Sequence, residues 1–188
     1  MEQAEAAERS QANTVSPVNT ARARGCAWNV DNDTLGVRPV DARVPSTKRG
    51  LVQAIGRLFD LLGLVSPFNL QVKLLIQRLW AENYDWDGEL VGDERRTWTK
   101  RRKELTALEQ LQFPRCLGSV EGDDSYRREL HLFCDASQDA FTAVAYITTV
   151  TSDGGVMSSL VMSKTRVAPL RQISIVRLEL QAAVLGVA

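Results

Sequence analysis

Three observations on this 188-residue chain predict an α+β fold. Apolar residues recur at helical spacing between Leu51 and Leu108, strand-like apolar runs replace them beyond Pro114, and a helix-compatible segment follows from Ile175 to Ala188. The expected architecture is an N-terminal β-hairpin, a three-helix unit, and then a partial mixed sheet of three strands plus a helix. Charge does not add to this picture. Lys and Arg number 23, as do Asp and Glu, so the formal net charge is zero and any argument for an anionic partner must be local.

Taken in order, the chain opens with residues 1–21, rich in Glu, Gln, Ala and Ser, which read as a disordered leader. Gly25 to Val30, the polar Asp31-Asn32-Asp33 and Leu35 read as strand, turn and strand. Pro45-Ser46-Thr47 starts a helix in which Leu51, Ile55, Leu58 and Leu62 repeat, with Gly63 suited to its C-terminal cap. Ser66-Pro67 restarts the chain as N-cap and first helical residue, and Phe68, Val72, Leu75, Ile76 and Leu79 form an apolar stripe. Asp93 is expected to cap a third helix that buries Trp98, Leu105 and Leu108. Glu129–Asp135, Ala140–Thr149 and Val156–Val167 are the strand candidates, and Asp153-Gly154-Gly155 is a hairpin signal.

Cys26, Cys116 and Cys134 are odd in number and lack CxxC spacing, which predicts neither a zinc site nor a disulfide framework. Cys134 sits in an apolar strand and is expected to be buried. No apolar run reaches membrane-spanning length and the N-terminus is not signal-like. An intracellular, reducing setting is therefore expected, without a membrane or a small-molecule cofactor.

The chemistry rests on two carboxylates. Leu130 to Gln138 delivers Asp135 at the end of a strand, and Arg177 to Ala183 places Glu179 on the first turns of a helix. A strand aspartate and a helix glutamate meeting across a small sheet suit Mg²⁺ or Mn²⁺, hard cations that prefer oxygen ligands and assist phosphodiester hydrolysis. The two are expected to face each other within about 8 Å, a gap sized for one or two ions. The alternatives are a strand-end aspartate bonding its own turn and a solvated helix-end glutamate. Arg95, Arg96, Lys100, Arg101, Arg102 and Lys103 form the strongest basic cluster, either a solvated face or a phosphate-contacting surface; Lys100 to Lys103 are its candidate contacts. Lys164 and Arg166 alternate along a strand beside the carboxylates and are further candidates, with cross-strand salt bridging as the alternative. Trp80, Trp86 and Trp98 are expected in the core and His131 in a structural role.

With these residues in view, the chain resembles the Bel/Pao (Pao) retrotransposon polyproteins in the region after the reverse-transcriptase palm. The resemblance is carried by Lys48-Arg49, by Phe59-Asp60-Leu61-Leu62-Gly63-Leu64-Val65-Ser66-Pro67, by Trp80 with Trp86-Asp87, and by Pro114-Arg115-Cys116. It continues through Phe133-Cys134-Asp135-Ala136-Ser137, Lys164 to Pro169 and Arg177-Leu178-Glu179-Leu180. It implies the end of a palm-like hairpin at 22–45, a thumb- or connection-like helical unit at 46–112, a linker at 113–128 and a partial ribonuclease H-like domain at 129–188. Where the family has Phe-Asp-Pro-Leu-Gly this chain has Leu61, which is expected to let the first helix run on.

The implied parent activity is metal-dependent hydrolysis of RNA in RNA–DNA hybrids, with Asp135 and Glu179 as ligands. The remainder of the polyprotein and a hybrid or other nucleic acid would be partners, in the cytoplasm, a virus-like particle or the nucleus. The chain is expected to be truncated before further ligands appear. A non-catalytic remnant or interaction module is one alternative. Members of the family are also described as Pao retrotransposon peptidases, which implies an aspartic peptidase. Asp135-Ala136-Ser137 lacks the glycine of an Asp-Thr/Ser-Gly loop, so the strands and helix fit ribonuclease H better.

Overall fold

The computed structural model describes residues 20–23, 26–38, 43–58, 60–117 and 126–187. Nearly all of the expected leader, Phe59 and the charged loop Glu121-Gly122-Asp123-Asp124 lie outside them. The predicted hairpin is present as β2 (Cys26–Asn29) and β3 (Thr34–Gly36), antiparallel, with Trp28 opposite Leu35. Its turn is held locally. Asn29 Oδ1 accepts from the backbone N–H groups of Asp31 (3.0 Å) and Asn32 (3.3 Å), and Asp33 takes the left-handed φ of 48° that short Asp side chains tolerate. Two further strands flank it, β1 (Thr20–Ala23) and β4 (Gln112–Pro114), in the order β1-β2-β3-β4. At three residues, β4 is too short to leave a periodic signal.

The helices between β3 and β4 are α1 (Lys48–Arg57), α2 (Ser66–Ala81) and α3 (Gly92–Ala107). They enclose a core that includes Leu51, Val72, Leu75, Leu79, Leu90 and Trp98, all fully buried. Thr47 caps α1 by accepting from Gly50 N–H at 3.1 Å. Three local expectations are corrected. First, α1 stops at Arg57 and does not run to Gly63, although Leu61 is not proline. Asp60 gives the backbone another partner: its carboxylate accepts from Leu64 N–H (2.7 Å) and Val65 N–H (2.9 Å). Second, Ser66 is inside α2 while Val65 is the N-cap, and no side chain among the described residues caps the helix; Asp60 instead holds the turn before it. Third, α3 starts at Gly92 with Val91 as N-cap; Asp93 lies in the first turn, where it suits the helix dipole without capping.

The second sheet has β5 (Arg127–Ala136), β6 (Ala140–Val150) and β7 (Val156–Val167) in the order β5-β6-β7, all antiparallel. A bulge lies between Ala145 and Tyr146 in the β6–β7 register. Helix α4 (Ile175–Val187) covers one face, with Leu178, Ala182 and Leu185 packed on Phe141, Ala143 and Ala168. Strands followed by a helix, beside a helical unit, make the α+β architecture that the residue pattern predicts. The helical unit touches this sheet along β7. Ser163 N–H donates to Leu62 O at 2.8 Å, and Gln77 Nε2 donates to Ala168 O at 2.6 Å.

Candidate active site

Strand alternation decides where the first carboxylate points. Ala136 packs against the core shared with Leu178, and a methyl group built on Gly186 of α4 would lie 3.1 Å from Cys134 Sγ. Both flanking residues therefore face α4. Asp135 lies between them in an unbroken register opposite Thr142, so its side chain takes the other face. There it lines a cleft of about 330 Å³ with Thr142, Val144, Pro67 and Leu70. Cys134, expected to be buried, is exposed, because β5 is an edge strand and α4 covers only part of it.

Glu179 lies one residue past buried Leu178 and is exposed. Leu178 belongs to the same cluster as Ala136 and Phe141, which pair at the end of β5, so Asp135 and Glu179 share one end of the sheet. They do not share a face.

The basic residues fall into two groups. On α3, Arg95 pairs with Glu89 (3.8 Å), Arg96 with Asp93 (2.6 Å) and half-buried Arg101 with Glu104 (2.6 Å), while Arg102 Nη1 donates to Val44 O at 3.4 Å. Only Lys100 and Lys103 of the expected four contacts stand exposed with no ion pair among the described residues. This geometry favours a solvated, internally paired face over much of the helix. Lys164 and Arg166 are exposed on β7, and the cross-strand salt bridge weighed against them does not form among the described residues.

They line a cleft of about 270 Å³ together with Lys73 of α2, which sequence reasoning missed. Its signal was there: Ser66, Leu70 and Lys73 lie at helical spacing on one stripe, and all three line this cleft. His131 Nε2 lies 3.4 Å from Glu129 Oε2.

Trp98 is in the core, 0% exposed, but Trp80 (49%) and Trp86 (38%) are not. They meet edge to face at 5.2 Å and flank Lys48, whose Nζ lies 4.1 Å and 5.1 Å from the two ring centroids and donates to Tyr84 O at 2.6 Å. A cation that is itself 3% exposed holds both rings at the surface.

A perturbed carboxyl lies away from Asp135 and Glu179, at Asp33. Arg115 Nε and Nη2 donate to Asp33 Oδ1 (2.5 Å) and Oδ2 (3.0 Å), and this hydrogen bonding holds the Asp33 carboxyl below its ordinary value. Trp28 Nε1 adds a bond to Asp33 Oδ1 at 3.0 Å. The pair ties the hairpin turn to the residue after β4.

The model of the Pao retrotransposon-like RNaseH-like domain matches residues 47–188. The chain belongs to the Pao retrotransposon family. The match takes in the helical unit as well as the second sheet and α4, so the Pao segment begins at Thr47, the N-cap of α1. No curated protein sequence matches the chain. Among the described residues no helix is long and apolar enough to cross a membrane.

Ribonuclease H-like domains are generally dependent on divalent metals, and the described residues do not by themselves assemble such a centre. No three His, Cys, Asp or Glu side chains among them come together, and the two expected ligands lie on different faces.

Proposed function

We propose that this Pao segment descends from the reverse-transcriptase/ribonuclease H region of a retroelement polyprotein whose parent activity is hydrolysis of RNA in RNA–DNA hybrids. The observation that carries the proposal is the family match over residues 47–188, spanning both the helical unit and the sheet that bears Asp135. In this reading residues 22–45 end a palm-like unit, 46–112 are thumb- or connection-like, 113–128 link, and 129–188 are ribonuclease H-like. The bounds are functional ones, since β4 at Gln112–Pro114 pairs back onto β3.

Asp135 and Glu179 are then the carboxylates that this segment contributes to a centre using Mg²⁺ or Mn²⁺ in the intact polyprotein. Their exposure at one end of the sheet supports that role, while their placement on different faces requires rearrangement or completion by other residues. The substrate would be recognised by its A-form shape through backbone and 2′-hydroxyl contacts. The remainder of the polyprotein is the partner, in an intracellular setting such as the cytoplasm, a virus-like particle or the nucleus.

In a polyprotein preparation that cleaves hybrid, Asp135→Asn and Glu179→Gln each abolish cleavage while leaving binding in place. Retained cleavage in either variant removes that residue from the centre. A second reading, a non-catalytic interaction module, is favoured by the opposed faces of the two carboxylates. It predicts that both variants cleave like the parent.

A further inference from the structure

The cleft between α2, β7 and Leu185 of α4 gathers basic side chains that no acid pairs among the described residues. Lys73, Lys164 and Arg166 all line it, and among the described residues none of the three is in an ion pair. The one carboxylate there, Asp60, is already engaged by Leu64 N–H (2.7 Å), Val65 N–H (2.9 Å) and Asn69 Nδ2 (3.4 Å). Like charges gathered at one site repel, and in a chain of zero net charge such a cluster is a local positive field. On α3, by contrast, Arg95, Arg96 and Arg101 each face an acid.

The cleft is also built on both sides by rigid elements. The stripe of α2 that carries Lys73 runs beside β7 and is pinned at its two ends by the Leu62–Ser163 and Gln77–Ala168 hydrogen bonds. The backbone positions that carry the three cations are therefore fixed relative to one another. Its volume of about 270 Å³ is ample for a phosphate and its first sugar neighbours.

We infer that this cleft is a groove for consecutive backbone phosphates of a nucleic-acid strand, gripped by Lys73 from the helical unit and by Lys164 and Arg166 from the sheet. The inference rests on the nucleic-acid reading above and deepens it: the strand would lie across the junction of the two units, on the β7 side of the sheet, with the carboxylate-bearing β5 at the opposite edge. Phosphate contacts give affinity and register without reading bases, so the groove is indifferent to sequence.

The test is fluorescence anisotropy of the whole chain with a labelled RNA–DNA hybrid and with a labelled single-stranded RNA, across a series of salt concentrations. Each phosphate contact contributes about 0.7 to 0.9 to the slope of log affinity against log salt. A Lys73→Gln/Lys164→Gln/Arg166→Gln variant is expected to lose roughly two to three from that slope and to bind about tenfold more weakly or worse at low salt. Lys73→Gln alone, remote from the strand backbone, is expected to lose about 0.7 to 0.9, which keeps the test informative should the triple variant melt early.

Lys100→Gln/Lys103→Gln is the comparison. A loss confined to that pair, with the cleft variants unchanged, overturns the groove and leaves the nucleic-acid reading standing. If the unaltered chain binds neither probe at low salt, both fall.

Discussion

At the scale of single residues, Lys48 shows how a charge can organise a surface from inside. Its Nζ is fixed by Tyr84 O and by two indole faces, so it has traded water for a carbonyl and two quadrupoles. Replacing it with methionine keeps the aliphatic length but leaves the Tyr84 carbonyl and the rings without their cation. Lys48→Met is therefore expected to destabilise the chain by about 2 kcal/mol, the sum of a charged hydrogen bond and a cation–π contact discounted for residual solvation. A shift in urea midpoint at constant slope measures it. A shift worth less than about 0.5 kcal/mol would show the box to be ornamental.

Asp33 makes a prediction with a sign. Its folded pKa is depressed, by the hydrogen bonds from Arg115 first, so the stabilisation it confers is present above the ordinary carboxylate value and lost as pH falls through the depressed one. Amide exchange at Arg115 N–H, which donates to Asp33 O at 3.0 Å, is expected to speed up in acid, below about pH 3.9, more than chemical exchange alone explains. Asp33→Asn should remove that pH dependence; an unchanged profile would place its origin elsewhere.

At the scale of elements, Asp60 fastens the turn that leads into α2. Asp60→Ala removes the acceptor for two N–H groups in the turn before α2 and is expected to cost about 1 kcal/mol, read as a lowered melting temperature. Asp60→Asn should recover part of that loss, and a wild-type melting temperature in the alanine variant would count against the turn's contribution.

This region also shows what could be read from the chain and what could not. The apolar stripe of α2 and the buried Trp98 were legible, because helical periodicity survives any tertiary context. The end of α1 was not, since Leu58 and Leu62 continue the same spacing while the backbone leaves the helix at Leu58 and Asp60 ties the following turn to Leu64 and Val65. Trp80 and Trp86 looked like core by type alone; nothing local reveals that a buried lysine would hold them at the surface. The strands of the second sheet were readable, but the face that each strand residue takes depends on where α4 docks.

At the scale of the whole molecule, the helical unit and the second sheet meet through Gly63. Its φ is 72°, and a methyl group built there would lie 1.9 Å from Ser163 O. Gly63→Ala is expected to push β7 off the 62–66 turn and break the Ser163–Leu62 bond, so that limited proteolysis cuts between the two units faster than in the parent. An unchanged digestion pattern would mean that the junction tolerates the strain.

The purified chain is also expected not to cleave an RNA–DNA hybrid above background in Mg²⁺ or Mn²⁺. Its two carboxylates lie on different faces, and partial catalytic units lose nearly the whole effect. Cleavage that disappears in Asp135→Asn would overturn this.

The pairing of β3 with β4 has a consequence for the order in which the chain takes shape. Thr34 Oγ1 donates to Gln112 Oε1 across 78 residues of sequence, and the whole helical unit is threaded between those partners. Closing so long a loop from a random chain costs on the order of 4 kcal/mol in entropy, more than three short ladder pairs return. The local β2–β3 hairpin can form early, but its pairing with β4 must wait. Only when the helices have folded and drawn Gln112 close does the fourth strand add, and the sheet then acts as a clasp that records the completion of everything between its two halves.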